Sequence, residues 1–222
     1  MENLIKNIVA KILWDTQAVK ISVEKPFQLA SGNFSPIYIN CRSLISNPVA
    51  MDLITSSIHW WMDNYKIEAD IIAGGETAGI PFASYVAQRL SKPMVYVRKQ
   101  PKGYGMGSAV EGNIKKGQRV LLVEDLITDG GSKESFISGL RAAGSVVEHC
   151  MVIFDREQGG VEFLNKMGVT LYSLCSLESA ILYGMQTELM NTDSRTEINN
   201  YFSDPPKWHL SKGLAFKRDM SK

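Results

Sequence analysis

The chain has 222 residues and a formal net charge of +1, with acidic and basic residues interspersed. The length suits one large α/β domain or a domain with a small appendage, and the charge balance disfavours a nucleic-acid-binding stripe or a membrane-surface helix. Three dispersed cysteines, Cys41, Cys150 and Cys175, lack a Cys-x-x-Cys spacing and indicate a reducing compartment. No apolar run is long enough to span a bilayer. We therefore predict a cytoplasmic protein with neither nucleic-acid nor membrane partners.

The first elements in the chain are an amphipathic helix and two short strands. Between residues 3 and 18, apolar residues recur at helical spacing and charged residues interrupt them, which argues against a signal peptide. Val19, Ile21 and Val23 alternate with polar residues and predict a short strand, and residues 27–29 predict another.

Residues 27–48 read FQLASGNFSPIYINCRSLISNP, a turn followed by a β-rich run. An ordinary hairpin would account for the pattern, but Ser-Gly followed by Ser-Pro-Ile-Tyr-Ile is a specific string. The segment resembles the N-terminal signature of the orotate phosphoribosyltransferases, in which it forms a hood over the base. The resemblance implies a small N-terminal hood, from about residues 1–45, and a contact between Tyr38 and orotate.

Asn47 and Pro48 predict the start of the next helix, with a capping side chain and a proline in the first turn. A short strand at residues 70–73 then runs into a glycine-rich turn, residues 74–81, and a helix that ends near Leu90. Many turns between a strand and a helix contain glycine, so this signal is weak by itself. In the family that the chain resembles, the turn holds pyrophosphate through backbone groups.

A strand at residues 94–97 leads into a long, glycine-rich segment, residues 98–108, with three cations near its start. Such a connection could close over a polyanion and exclude water, or it could be a solvated charged loop. It resembles the mobile catalytic loop of the orotate phosphoribosyltransferases. The resemblance implies a homodimer in which residues 98–114 reach the neighbouring subunit's site. It also implies contacts with phosphoribosyl pyrophosphate (PRPP) from Arg98, Lys99, Lys102 and Tyr104.

Residues 120–132, VLLVEDLITDGGS, carry most of the functional signal. Residues 120–123 predict a parallel strand buried on both faces. Glu124 and Asp125 follow where that strand should end, at the edge of an α/β sheet where ligands bind. The turn at residues 128–132, here called the phosphate turn, and a helical pattern from 133 to 143 would present backbone N–H groups to a phosphate. A simple scaffold role for strand, turn and helix is the alternative.

The spacing of this stretch also bears on the type of phosphate ligand. The chain contains neither Gly-x-Gly-x-x-Gly nor the P-loop pattern, which disfavours dinucleotide and P-loop nucleotide binding. Adjacent acids followed by small residues suit a sugar phosphate, because carboxylates accept hydrogen bonds from ribose hydroxyls.

The same stretch resembles the PRPP motif of the type I phosphoribosyltransferases. The resemblance implies that the two acids hold the ribose hydroxyls and that the phosphate turn holds the 5′-phosphate. Together with the cationic segment, it assigns catalytic roles to Arg98, Lys102 and Asp125. The implied PRPP contacts in this stretch are Glu124, Asp125, Leu126, Ile127, Thr128, Asp129, Gly130, Gly131 and Ser132.

A strand from residue 146 to 154 leads to Arg156, whose guanidinium group suits the carboxylate of orotate. The family has an arginine here that contacts orotate, and the resemblance adds Thr128 to the orotate contacts. After a further strand at 170–174 and a helix at 177–190, a short helix ends near Phe202. The proline pair and basic end that follow predict a surface tail.

These elements predict an α/β protein with the type I phosphoribosyltransferase fold. In that fold, helices flank a central, mostly parallel sheet, and a small N-terminal hood is added to it. We expect a phosphoribosyltransferase domain at residues 1–190, with its core at about 46–190, and a C-terminal helix and tail at 191–222.

The resemblance implies orotate phosphoribosyltransferase activity, a magnesium-dependent transfer of the 5-phosphoribosyl group from PRPP to orotate. The products would be orotidine 5′-monophosphate and pyrophosphate, in de novo pyrimidine (UMP) synthesis. Mg²⁺ would be held mainly through PRPP, without a direct protein ligand. Because the length leaves no room for a decarboxylase barrel, we expect another protein to perform that later step.

Two alternatives compete with this hypothesis. One is transfer to another base, such as a purine, against which the hood string and Arg156 argue. The other is a PRPP-sensing regulator without catalysis, against which the absence of a basic helix-turn-helix pattern argues.

Four positions depart from the family's pattern. Ala30 stands where many relatives have Lys, Tyr104 where many have His, and Met106 where some have an acid. Asp129 places a carboxylate inside the phosphate turn, so its side chain must point away from the phosphate or weaken binding.

Overall fold

The computed structural model describes residues 1–29, 31–99 and 109–217. Within these ranges, the helices are α1 (Glu2–Asp15), α2 (Pro48–Asn64), α3 (Gly79–Arg89), α4 (Gly131–Ala142), α5 (Gly160–Lys166), α6 (Leu177–Gln186), α7 (Thr192–Ser203) and α8 (Pro205–Ser211). The strands are β1 (Val19–Ile21), β2 (Phe27–Gln28), β3 (Phe34–Ser35), β4 (Ile37–Ile39), β5 (Ile71–Gly75), β6 (Met94–Val97), β7 (Val110–Glu111), β8 (Arg119–Ile127), β9 (Val146–Asp155) and β10 (Thr170–Ser176).

The central sheet has six strands in the order β10-β9-β8-β5-β6-β7. All neighbouring pairs are parallel except β6 and β7, which are antiparallel at one edge. The strand order reverses between β5 and β8, and a crevice opens beyond the carboxyl ends of the strands at such a point. The structure thus confirms the predicted mostly parallel α/β sheet and places a ligand crevice at the end of β8.

Strand β8 is buried on both faces, as its uninterrupted apolar run predicts. Leu121 and Val123 pack in the core that contains residues of α1, α2, α3 and α6. Val120 and Leu122 pack on the other face, against residues of α4 and α5. The prediction that the strand ends before the two acids is wrong, because pairing with β9 continues to Ile127. Glu124 and Asp125 therefore lie within the strand.

The N-terminal strands form two small antiparallel pairs apart from the central sheet, β1 with β4 and β2 with β3. Ile37 and Ile39 of β4 are buried, whereas Tyr38 between them points outward and is 36% exposed. This alternation is the expected pattern of a strand with one buried face. The hood residues therefore cover the sheet with one face and present Tyr38 on the other.

The interpretation of the C-terminal end as a surface tail is wrong for the residues that the structure describes. Helix α7 is followed by α8, in which Trp208 and His209 are buried. The chain then returns to the hood, where Asn33 and Lys217 are hydrogen-bonded. The proline pair begins a helix, since proline suits the first helical turn. Across the ranges described, none of the helices is both long and apolar enough to cross a membrane.

Candidate active site

A cleft of about 860 Å³ lies at the end of β8, between the sheet and the hood. It brings together eight of the residues that the sequence assigns to the site: Tyr38, Lys99, Glu124, Asp125, Leu126, Thr128, Ser132 and Arg156. Lys102 and Tyr104, with the departures at Ala30 and Met106, lie outside the described residues. The structure thus joins the hood, the phosphate turn and the end of β9 around one cavity.

Glu124 is almost fully buried at this cleft and is held by two donors. Lys133 Nζ donates to Glu124 Oε2 at 2.8 Å, and the backbone N–H of Gly75 donates to Oε1 at 2.8 Å. Burial raises the pKa of the Glu124 carboxyl, and the charge of Lys133 opposes this rise. Glu124 therefore links β8 to α4 and to the end of β5, and its predicted contact with a ribose hydroxyl stays a prediction.

Asp125 presents a carboxylate to the cleft from the opposite face of the strand. Its Oδ1 accepts a hydrogen bond from the backbone N–H of Leu126 at 2.8 Å, and its Oδ2 lies 3.7 Å from Nε of Arg42. A carboxylate oxygen accepts more than one hydrogen bond. Asp125 is thus arranged to accept hydrogen bonds from hydroxyl groups of a ligand.

The phosphate turn carries the chain from β8 into α4. Gly130 has a φ of +95°, and a Cβ there would lie 2.6 Å from Cδ1 of Phe163. The turn therefore requires glycine for both its backbone conformation and its packing. Helix α4 begins at Gly131, so its first N–H groups face the cleft end of β8, which is the usual arrangement of a phosphate site at a helix N-terminus.

Asp129 does not point away from the phosphate turn. Its Oδ1 accepts a hydrogen bond from the backbone N–H of Gly131 at 3.2 Å. That N–H belongs to the group of donors that the sequence assigns to the 5′-phosphate. A phosphate in the turn would therefore compete with the Asp129 carboxylate for this donor. Of the two outcomes expected from the sequence, this arrangement corresponds to weaker phosphate binding.

The glycine-rich turn after β5 lies beside the start of the cationic segment. Glu76 Oε2 accepts a hydrogen bond from the backbone N–H of Lys99 at 3.0 Å, and the N–H of Glu76 donates to Val97 O at 2.8 Å. Arg98 ion-pairs with Glu111 at 3.7 Å, across the paired strands β6 and β7. Lys99 and the glycine-rich turn, which could hold a diphosphate, thus lie at the same end of the cleft.

Arg156 supplies a cationic group at the hood side of the cleft. Its Nε is buried and finds no hydrogen-bond acceptor among the described residues. Burial lowers the pKa of the Arg156 guanidinium group, and the neighbouring Tyr201, Cys41 and Tyr38 oppose this shift. A buried donor without an acceptor costs stability, so the arrangement is suited to an anionic group of a ligand.

Four predicted PRPP contacts, Ile127, Asp129, Gly130 and Gly131, and the predicted contact Arg98 are not among the residues that line the cleft. Ile127 is buried in the core, and Asp129, Gly130 and Gly131 belong to the phosphate turn. Arg98 pairs with Glu111 instead.

Sequence reasoning missed other residues that line the cleft, among them Lys133, Tyr201 and Phe216. A lysine in the first turn of a helix is unfavourable for the helix dipole, and that signal could have drawn attention to Lys133. Tyr201 and Phe216 lie in a C-terminal segment with no functional motif, and no local pattern indicates their position.

The chain is similar to known proteins over most of its length. The family model described as "Phosphoribosyl transferase domain" matches residues 42–171, more than half of the chain, so the chain is a phosphoribosyltransferase. A curated orotate phosphoribosyltransferase from Jannaschia sp. is 44% identical over 93% of this chain and 92% of its own length. The chain belongs to the orotate phosphoribosyltransferase family, and it is therefore an enzyme of the glycosyltransferase type.

Solved structures of related proteins have the same fold. The chain of Leishmania donovani UMP synthase is 30% identical, with a TM-score of 0.77; the match covers 89% of this chain and 42% of that one. Orotate phosphoribosyltransferase from Aeropyrum pernix is 33% identical, with a TM-score of 0.67, over 78% of this chain and 96% of that one. These comparisons confirm the predicted fold class and family.

Proposed function

We propose that this enzyme transfers the 5-phosphoribosyl group from PRPP to orotate, giving orotidine 5′-monophosphate and pyrophosphate in de novo pyrimidine synthesis. The observation that carries the proposal is that Asp125, the phosphate turn and Arg156 share one cleft. A carboxylate, an anion-binding turn and a separate cation match a ribose, its 5′-phosphate and an acidic base. Membership of the family supports orotate over a purine as the acceptor.

The proposed reaction is a displacement at the anomeric carbon of the ribose. The bond from that carbon to the pyrophosphate oxygen breaks, and its electron pair leaves with pyrophosphate. A ring nitrogen of orotate bonds to the carbon, and the proton of that nitrogen passes to pyrophosphate or to water. Positive charge develops on the ribose and negative charge on the leaving group. Arg98, Lys99 and Lys102 would stabilise the leaving group, and Tyr104 would donate a hydrogen bond to it. One such preorganised contact is worth about 3 kcal/mol of the barrier.

Magnesium fits this cleft as an ion carried by PRPP. Mg²⁺ is usually bound through one or two carboxylates together with phosphate oxygens and water. The proposal assigns the Asp125 carboxylate to the ribose hydroxyls, and the described residues contain no group of three or more potential metal ligands. Oxygen atoms of PRPP would therefore supply most of the ligands. When bound, the ion would neutralise charge on the diphosphate. We propose that it is held mainly through PRPP.

The homodimer and the cytoplasmic location belong to the same proposal. Arg98 N–H donates to Ala109 O at 2.8 Å, so both ends of the segment that would reach the neighbouring subunit are fixed at the edge of the sheet. Cys41, Cys150 and Cys175 are free thiols, which supports a reducing compartment.

The test is a direct assay of the purified protein with magnesium, PRPP and a base. We expect loss of orotate absorbance with orotate, no product with adenine or hypoxanthine, and no turnover when magnesium is chelated. Turnover of a purine and not of orotate would indicate that the acceptor base is a purine. PRPP binding without turnover of any base would favour the sensor, and either result would contradict the proposal.

A further inference from the structure

The C-terminal segment, residues 192–217, closes onto the hood through specific hydrogen bonds. Asn33 Nδ2 donates to Lys217 O at 2.9 Å, and Lys217 N donates to Asn33 Oδ1 at 2.7 Å. The N–H of Phe34 donates to His209 Nε2 at 2.9 Å. Because Nε2 is the acceptor, Nδ1 carries the proton and donates to Pro205 O at 2.7 Å. His209 is fully buried, so both of its ring nitrogens are used within the protein.

These contacts position two aromatic side chains at the cleft. The ring of Phe216 lies 5.0 Å from that of His209, and the ring of Tyr201 lies 5.1 Å from that of Trp208. Phe216 and Tyr201 both line the cleft that contains Asp125 and the phosphate turn. The C-terminal segment therefore contributes to the wall of the candidate active site as well as to the packing of the hood.

The chemistry of this wall differs from that of the rest of the cleft. The phosphate turn and the glycine-rich turn offer backbone donors, and Asp125 offers a carboxylate. The side chain of Phe216 has no polar atom, so it offers no hydrogen bond to a phosphate or a sugar hydroxyl. A planar conjugated ring, by contrast, stacks on an aromatic side chain and gains affinity by doing so.

Phe216 lies on the hood side of the cleft. Its neighbour Lys217 is bonded to Asn33 of the hood, and the cleft also contains Tyr38 and Arg156. Arg156 Nε is buried without an acceptor among the described residues, and Tyr38 and Tyr201 line the same cleft. A ring that carries a carboxylate matches both features, with the carboxylate at Arg156 and the ring face at the aromatic wall.

We propose that Phe216 contacts the ring of the acceptor base and determines affinity for it, with Asn33 and His209 as positioning residues that hold the C-terminal segment against the hood. This inference rests on the proposed function and deepens it. A segment that only covered the hood would affect stability and would not distinguish the two substrates. A base contact instead changes the KM for orotate and leaves the KM for PRPP unchanged.

The test compares Phe216→Ala with Phe216→Tyr and Leu210→Ala in the full-length protein. Leu210 is 80% exposed on α8 and serves as the matched control in the same segment. We expect Phe216→Ala to raise the KM for orotate about tenfold, within the range for loss of one aromatic stacking partner. The KM for PRPP and the melting temperature should stay near those of the wild type. Phe216→Tyr should restore the KM for orotate, and Leu210→Ala should change neither KM.

A second measurement follows the segment itself. Trypsin cleavage after Lys217, detected by mass spectrometry, should slow when orotidine 5′-monophosphate is added to the wild type and should not slow for Phe216→Ala. If Phe216→Ala unfolds, Phe216→Leu keeps the apolar bulk without the aromatic ring and should still raise the KM for orotate.

An unchanged KM for orotate in the folded Phe216 variants, with an active wild type, would overturn the inference and leave the proposed function intact. A wild type that does not turn over orotate would overturn the proposed function, so the two failures are distinguishable.

Discussion

Lys133 and Glu124 form an ion pair at 2.8 Å, and both side chains are about 95% buried, with relative exposures of 6% and 5%. The pair connects the first turn of α4 to β8, and the second oxygen of Glu124 accepts the N–H of Gly75 at the end of β5. The phosphate turn and the glycine-rich turn therefore share one charged anchor. Movement of either turn would be transmitted to the other through Glu124.

Replacing Lys133 with Met should destabilise the enzyme. Removing one partner of a buried ion pair leaves an uncompensated charge and costs about 3–5 kcal/mol. At roughly 2–4 °C per kcal/mol for a domain of this size, the melting temperature should fall by about 6–20 °C. Calorimetry measures this change. Lys116→Met, at an exposed lysine, is the control, and Lys133→Met combined with Glu124→Gln should recover part of the loss. A melting temperature equal to that of the wild type would show that the pair contributes little.

Replacing Arg156 with Lys should weaken orotate binding and leave PRPP binding unchanged. Lysine keeps the charge but loses the planar fork that binds a carboxylate through two hydrogen bonds. A hydrogen bond to a charged group is worth about 1.5–3 kcal/mol, which corresponds to a roughly ten- to hundredfold rise in the KM for orotate. Steady-state kinetics with each substrate varied in turn gives both values.

Arg195→Lys is the control for that experiment, because Arg195 pairs with Glu178 at the surface at 3.3 Å. An equal rise in both KM values for Arg156→Lys would indicate a general disturbance of the cleft and would contradict the orotate contact.

Replacing Gly130 with Ala should destabilise the enzyme, whereas replacing Gly131 should not. Alanine at position 130 would have to adopt a φ of +95° and place its Cβ 2.6 Å from Phe163, and such strain costs about 1–3 kcal/mol. At Gly131 the nearest atom to a Cβ is Asp129 Oδ1, at 3.7 Å, and alanine favours the helix. Urea unfolding without substrate compares the two. Equal free energies of unfolding would mean that the turn can change its conformation at no cost.

Asp70 should contribute to stability near neutral pH and lose that contribution in acid. Hydrogen bonds from the Arg119 side chain and backbone lower the pKa of the Asp70 carboxyl. Because the pKa of Asp70 is lower in the folded state, its contribution to stability is complete above the unfolded pKa of about 4. The contribution is lost as the pH falls further.

Melting temperatures of the wild type and of Asp70→Asn should therefore differ at pH 7 and converge as the pH falls below about 4. Glu24→Gln, at an exposed residue of the hood, should follow the wild type at both pH values. A constant difference between the wild type and Asp70→Asn across this range would contradict the linkage.

The sequence predicts the sheet well because burial on two faces leaves a clear pattern. Val120–Val123 have no polar alternation, and they are buried between two layers of helices as expected. The end of that strand is harder to predict, because Glu124 is buried in an ion pair with Lys133, nine residues later in the chain. A buried carboxylate in a strand looks the same in sequence as an exposed one after it, because its donors, Lys133 and the N–H of Gly75, lie elsewhere in the chain.

The C-terminal segment shows a different limit. Pro205 and Pro206 with a basic end resemble a surface tail locally. Trp208 packs against Tyr201 of the preceding helix, and His209 accepts a hydrogen bond from Phe34 of the hood, far away in sequence. Asn33 and Lys217 are 184 residues apart. A periodic pattern indicates which face of an element is apolar, but it does not indicate which distant segment covers that face.

The contacts between the C-terminal segment and the hood also affect when the hood can fold during synthesis. Domains generally fold from the N-terminus during translation, and Asn33 leaves the ribosome long before Lys217. Until residues 209–217 have been synthesised, the N–H of Phe34 and the side chain of Asn33 lack the partners that they have in the folded protein. The nascent chain would therefore complete the wall of its candidate cleft only after Phe216 and Lys217 have left the ribosome.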